Sequence, residues 1–276
     1  MPFIMLRTGA HAVLLLPLFM GGCVTDDFSE MSQGFTAPTP AEAARNALDP
    51  YNADKRREGV VLLANATFGG AAPYMKMYRD YVEHDKDPLV RAAAITALGR
   101  HGSPEDALLI APLLERTLDV HQHVRWTAAL ALQRLHNPAV VPDLIEAIVD
   151  QGEVGEVREA CCGAMGQYPE DRVMHALFAA LDTRELAVNA AAAQSLNELT
   201  GQDWGFDRTA WNTWYTAAIA RGDAFTGQRD YTYPTYTRDL LWWAHVAFWV
   251  DWHFEKPPAP AGLEPIGTRS PYGADG

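Results

Sequence analysis

Five stretches of this chain share one register, and that periodicity limits the fold more than any other feature. Asp87-Pro-Leu-Val-Arg91-Ala-Ala-Ala-Ile-Thr-Ala-Leu98-Gly99 aligns with His123-Val-Arg125-Trp-Thr-Ala-Ala-Leu-Ala-Leu132, with Glu156-Val-Arg158-Glu-Ala-Cys-Cys-Gly-Ala-Met165-Gly166, and with Ala187-Val-Asn189-Ala-Ala-Ala-Ala-Gln-Ser-Leu196. A weaker first copy runs from Lys55 through Arg57 to Ala64. The anchors Arg57, Arg91, Arg125, Arg158 and Asn189 lie 34, 34, 33 and 31 residues apart. A period of this length marks an array of small units, each burying its apolar face against the next.

Each unit divides in two. The first half carries Ala and Leu at helical spacing, as at Val90, Ala94 and Leu98. A break follows, at Gly102-Ser103-Pro104, Asn137-Pro138, Pro169-Glu170 or Gly201-Gln202-Asp203. A second amphipathic run then covers 107–118, 140–149, 173–181 or 210–220. Ser103, Asn137 and Asp207 suit N-caps, and Pro104 and Pro138 suit a first helical turn. No segment alternates apolar and polar residues for long enough to argue a strand. The expectation is an all-α fold: a right-handed α-solenoid of about five helix pairs over 53–222, with small residues on the first helices letting the layers approach closely.

The pattern Asp-x-x-Val-Arg-x-x-Ala-x-x-Ala-Leu-Gly resembles HEAT repeats, specifically the short bacterial form also seen in phycobilisome lyases. The chain also looks like a group of bacterial HEAT-repeat lipoproteins. There a run like Asp54-Lys-Arg-Arg-Glu-Gly opens the repeats, and Leu199-Thr-Gly-Gln-Asp-Trp204-Gly-Phe-Asp207 followed by Trp211 and Trp214 closes them. A lyase reading would need a bilin-handling site, and no motif for one stands out.

Residues 1–22 read as an export signal: Arg7 is the basic element, and 12–20 form an apolar run too short to span a bilayer. Met20-Gly21-Gly22-Cys23 resembles a bacterial lipobox, which implies acylation at Cys23, with an ordinary signal peptide as the alternative. The resemblance to bacterial lipoproteins also implies that Val24 rather than Asp after the Cys argues weakly against inner-membrane retention. The expected location is therefore the cell envelope, at the outer membrane facing the periplasm. Residues 23–52, polar and Pro-containing, read as the anchor cysteine and a flexible tether.

Arg91, Arg125 and Arg158 could form a basic surface ladder. The ordinary use of such residues is pairing between stacked units, here with an acid of the preceding turn such as Asp85, Asp87, Asp119 or Asp150. Cys161 and Cys162 are adjacent on one helix, so a disulfide between them would be strained, and they read as small interface residues. His121 and His123 could hold a metal only with further ligands, which the sequence does not place; His101 and His136 fit loop or cap positions. Trp204, Phe206, Trp211, Trp214 and Tyr215 read as closing the last core, with an aromatic ligand platform as the alternative. The extension 223–256 is expected to carry a helix at about 238–254 with Trp242, Trp243, Trp249 and Trp252, either capping the solenoid or meeting a membrane or partner. Residues 257–276, rich in Pro and Gly, read as a disordered tail.

With 35 acidic against 22 basic residues, the net charge of −13 disfavours nucleic acid and favours a basic or neutral protein partner. No nucleophile–base pair, phosphate loop or metal motif stands out, so no cofactor and no catalysis are expected. The leading expectation is a protein-binding or scaffolding lipoprotein, with a concave surface formed by the second helices and the membrane contacted through Cys23. The alternatives are a lyase-like enzyme or chromophore binder, and a membrane-contacting structural protein.

Overall fold

The structure is a computed structural model; it describes residues 39–231, 233 and 259–266. The expected export signal, Cys23 and the Trp242, Trp243, Trp249 and Trp252 segment lie outside the described residues.

Among the described residues there are eleven α-helices and no strand. They are α1 (Pro40–Ala47), α2 (Ala53–Asn65), α3 (Ala72–His84), α4 (Pro88–His101), α5 (Asp106–Ile110), α6 (Gln122–Leu132), α7 (Val141–Val149), α8 (Gly155–Met165), α9 (Asp171–Ala180), α10 (Leu186–Thr200) and α11 (Arg208–Arg221). Helices α2/α3, α4/α5, α6/α7, α8/α9 and α10/α11 are the five pairs. The first helices α2, α4, α6, α8 and α10 pack in sequence against one another, and α7, α9 and α11 do the same on the other layer. The chain is an all-α solenoid.

The local chemistry explains these elements. The Asp87 carboxylate accepts from the Leu89 and Val90 amides and Pro88 opens α4. Asn137 accepts from the Ala139 amide, and Asp207 from the Ala210 amide, as N-caps. Ser103 works differently: its amide and hydroxyl both donate to the Asp106 carboxylate, and α5 begins without a side-chain cap. The run expected over 107–118 stops early. Pro112 cannot supply an amide to the helix, so α5 tightens into a 3-10 turn at Ala111–Leu114, and Glu115 is extended. The core is a continuous column through the first helices, with Ala94, Ile95 and Leu98, Val124, Ala128 and Leu132, Val157, Cys161 and Met165, and Val188, Ala192 and Leu196 all fully buried. Each large side chain there contributes about 1.5–3 kcal/mol.

Two terminal segments differ from the sequence expectation. Residues 39–47 are not tether. A capping box joins Thr39 and Glu42, and α1 buries Ala43 and Ala47 against α2. The contact is so close that a Cβ on Gly59 would lie 2.2 Å from the Ala47 amide nitrogen. Tyr81 also donates its hydroxyl to the Ala47 carbonyl. At the other end, the chain after α11 turns back along the stack. Gly201 (φ +72°) and Gly227 permit a backbone approach that any Cβ would block, and the Arg229 amide donates to the Glu198 carbonyl (2.7 Å). Tyr231 then donates to the Gly163 carbonyl (2.9 Å), and Arg134 lies over the Tyr233 ring at 4.7 Å.

Residues 259–266, expected to be part of a disordered tail, dock beside the same place. The Ala261 amide donates to the Arg134 carbonyl and the His136 amide to the Ala261 carbonyl, both at 2.8 Å. Tyr233 donates to the Ala259 carbonyl (3.4 Å), so the described chain leaves and returns at the edge of the third pair, not at the last one.

Candidate functional site

A ladder of ion pairs fixes how the pairs stack. Arg91 reaches Asp119 (2.5 and 3.1 Å), Arg125 reaches Glu153 (2.6 and 2.8 Å), and Arg158 reaches Glu185 (2.8 Å). In the first pair the ladder residue is Arg56, bound to Asp85 at 2.8 and 3.0 Å. The expected anchor Arg57 instead makes a half-exposed pair with Asp54 on its own helix. The carboxylate comes from the turn one repeat later, not from the preceding turn. The preceding turn supplies a backbone carbonyl: Asp49 to Arg56, Asp85 to Arg91, Asp119 to Arg125. Of the other acids expected to pair, Asp87 caps α4, and Asp150 binds Arg116. Burial raises the Asp119 carboxyl, but the His121 amide and the Arg91 guanidinium outweigh it and hold it below the usual range. At the fifth position Asn189 keeps only the local contacts, taking the Thr183 hydroxyl (2.8 Å) and donating to its carbonyl (3.3 Å).

The first helices also present a face that carries no ladder arginine. There the faces of α6, α8 and α10 form a groove of about 430 Å³. Each helix presents residues at helical spacing: Trp126, Leu130 and Gln133; Glu156, Glu159, Ala160 and Gly163; Ala191, Gln194, Ser195 and Glu198. This groove lies on the first helices, whereas the sequence expectation placed binding on the stacked second helices. Small residues make its floor. Gln133 donates to the Ala160 carbonyl (2.9 Å) and Ser195 to the Cys162 carbonyl (2.8 Å), which locks the three helices in register. Tyr231 lines the groove where it meets Gly163. Among the described residues no Lys or Arg lines it. Glu156 and Glu159 are exposed and have no hydrogen bond or ion pair among the described residues.

Other singled-out residues are not brought into this groove. Cys161 and Cys162 are fully buried; burial pushes the Cys161 thiol well up and the Cys162 thiol to about 12. A thiol held protonated in this way is a poor nucleophile. His121 contacts Asp119 (3.1 Å), His123 lies against Trp126, His101 donates to the Ala64 carbonyl (2.7 Å), and His136 stacks on Tyr168. Among the described residues no three His, Cys, Asp or Glu side chains converge as a metal site.

The aromatics of the last pair divide. Trp211 is fully buried and donates its indole N–H to the Gly205 carbonyl (2.9 Å), and Tyr215 is buried with its hydroxyl on Asp171 (3.0 Å). Trp214 is half-buried against both, while Trp204 and Phe206 are exposed.

A family model described as HEAT repeats matches residues 79–154, from within α3 to the turn before α8. A comparison with curated proteins returns no match. The matched segment holds the Arg91–Asp119 and Arg125–Glu153 rungs, and the same rung recurs outside it at Arg56–Asp85 and Arg158–Glu185.

Proposed function

From HEAT repeats set in an all-α solenoid, we propose that this chain is a scaffold that binds a partner protein in the groove of α6, α8 and α10. HEAT repeats commonly mediate protein binding and usually serve as non-catalytic scaffolds, which supports a binding role. What carries the location is the groove itself. Three successive first helices turn one face each toward a single channel, held in register by Gln133 and Ser195. Stacked repeats present extended surfaces of this kind. The scaffold is anchored in the bacterial envelope by acylated Cys23, on the periplasmic face of the outer membrane. The short apolar run ending in Gly21-Gly22-Cys23 supports that placement.

A photo-crosslinking residue at Leu130 or Gln194 should give partner adducts in cells, and one at His175 or Asn212, on α9 and α11, should not. Adducts of equal yield at all four positions, or none at the groove positions, would refute the assignment. For the anchor, Cys23→Ser should abolish fatty-acid labelling and release the protein from membranes. A labelled or membrane-bound variant would refute lipidation at that residue.

A further inference from the structure

The groove has a chemical preference as well as a shape. Two aromatics line it: Tyr231, which is buried, and Trp126, which is 37% exposed, so part of the indole is accessible at the channel. On α8, Glu156 and Glu159 stand one turn apart with no partner among the described residues. The partial positive charge of the α8 N-terminus is about half a unit, too little to neutralise two carboxylates. Every ladder arginine nearby is already spent: Arg125 on Glu153 and Arg158 on Glu185. An indole beside unpaired carboxylates is the arrangement that receives a cationic side chain. The ring attracts it through its quadrupole and the carboxylates through charge-assisted hydrogen bonds.

The dimensions bear on the backbone form of the occupant. The lining crosses three helix axes, and packed helices lie about 8–10 Å apart, so the channel is about 16–20 Å across the stack. Extended chain covers that in about five or six residues at about 3.3 Å each. A helix would need about eleven to thirteen residues at about 1.5 Å each to cover the same distance.

We infer that the groove takes an extended segment of the partner protein, with a Lys or Arg side chain held between Trp126 and the Glu156/Glu159 pair. This rests on the proposed docking role and adds the chemistry of the partner to it.

The test uses the full-length chain and a fluorescein-labelled hexapeptide of alternating Ala and Arg, with blocked ends, read by fluorescence anisotropy. The basic peptide should bind, and an Ala/Glu peptide of the same length should not. Glu156→Gln with Glu159→Gln should weaken binding at least about tenfold. Trp126→Ala should do the same while the variant remains folded by circular dichroism, with Trp126→Phe retaining most of the affinity. Removing two exposed charges elsewhere, by Glu58→Gln with Asp80→Asn, should leave binding within about twofold. Failure of the basic peptide to bind would overturn the inference, as would an equal loss in the groove and control variants. Crosslinks at Leu130 and Gln194 in cells together with no charge preference would keep the docking site and discard the cationic occupant.

Discussion

The Arg125–Glu153 rung is the most deeply buried in the ladder, and removing one partner should be costly. The Glu153 side chain is 1% exposed and Arg125 5%. Two hydrogen bonds of 2.6 and 2.8 Å join them. In Glu153→Gln the guanidinium stays buried opposite a neutral amide, and leaving such a charge unmatched costs about 3–5 kcal/mol. At about 2–4 °C per kcal/mol for a unit of this size, melting should fall by about 6–20 °C. Glu185, 45% exposed, makes the milder comparison: its carboxylate is hydrated and Arg158, itself 9% exposed, keeps the Ile148 carbonyl, so Glu185→Gln should cost less than Glu153→Gln. Replacing both partners, as Arg125→Met with Glu153→Met, removes the charges together. It also takes the Arg125 donor from the Asp119 carbonyl, at about 1 kcal/mol. The double variant should therefore lie within about 2 kcal/mol of the parent. Urea denaturation of the parent, the single variants Glu153→Gln and Glu185→Gln, and the double variant decides the matter. Equal costs for the two single variants, or a double variant as unstable as Glu153→Gln, would refute the argument.

Gly59→Ala should push α1 from α2, since its Cβ would meet the Ala47 nitrogen at 2.2 Å, and should cost about 1–3 kcal/mol; unchanged hydrogen-exchange protection in α1 would count against it. Asp106 and Asp119 both titrate below the usual range, because Arg79 and the Ser103 amide at one, and the His121 amide and Arg91 at the other, outweigh a burial that would raise them. Their stabilisation is complete above the unfolded value of about 3.9 and is lost as pH falls through the lower folded values; Asp106→Asn with Asp119→Asn should flatten the urea midpoint between about pH 5 and pH 2.5. In a Cys23→Ser chain, Cys161 and Cys162 should react with a maleimide only as the protein unfolds, so prompt native labelling at neutral pH would contradict their burial.

The repeat was legible because its chemistry recurs in place: Val-Arg, or Val-Asn in α10, followed by a run of mostly small residues reappears at α4, α6, α8 and α10. Helix α1 was hidden for the opposite reason. Its buried residues are only Ala43 and Ala47, which give no strong apolar period, and its fit depends on the bare backbone of Gly59. The Thr39–Glu42 capping box was the available signal. The choice between Arg56 and Arg57 could not be made by alignment, since adjacent arginines differ only in a turn of about 100° around the helix. The direction of the ladder was equally hidden. Each acid-bearing turn precedes one arginine and follows another, and only the packing shows that its carboxylate serves the earlier arginine and its carbonyl the later one. The groove did leave a trace. In the four units from α4 onward the residue after the ladder position reads Ala92, Trp126, Glu159 and Ala190, and the two of these that depart from Ala line the channel.

That substitution pattern also explains how an acidic solenoid can hold its shape and still offer a charged face. Within the stack, each rung brings one positive and one negative group together, so the repeats meet without net charge between them. A rung left open inside the stack would bury an unmatched guanidinium. At the fifth position the ladder residue is Asn189, which satisfies the Thr183 hydroxyl and carbonyl with a neutral amide and needs no carboxylate from a further turn. The arginines are consumed in order until that neutral end, and the groove keeps Glu198, which accepts from Gln194, and the exposed Glu156 and Glu159. The same device that joins the repeats thus leaves the α6, α8 and α10 face with negative charge and an open indole, and a partner that supplies a cation there completes a pairing the ladder itself does not make.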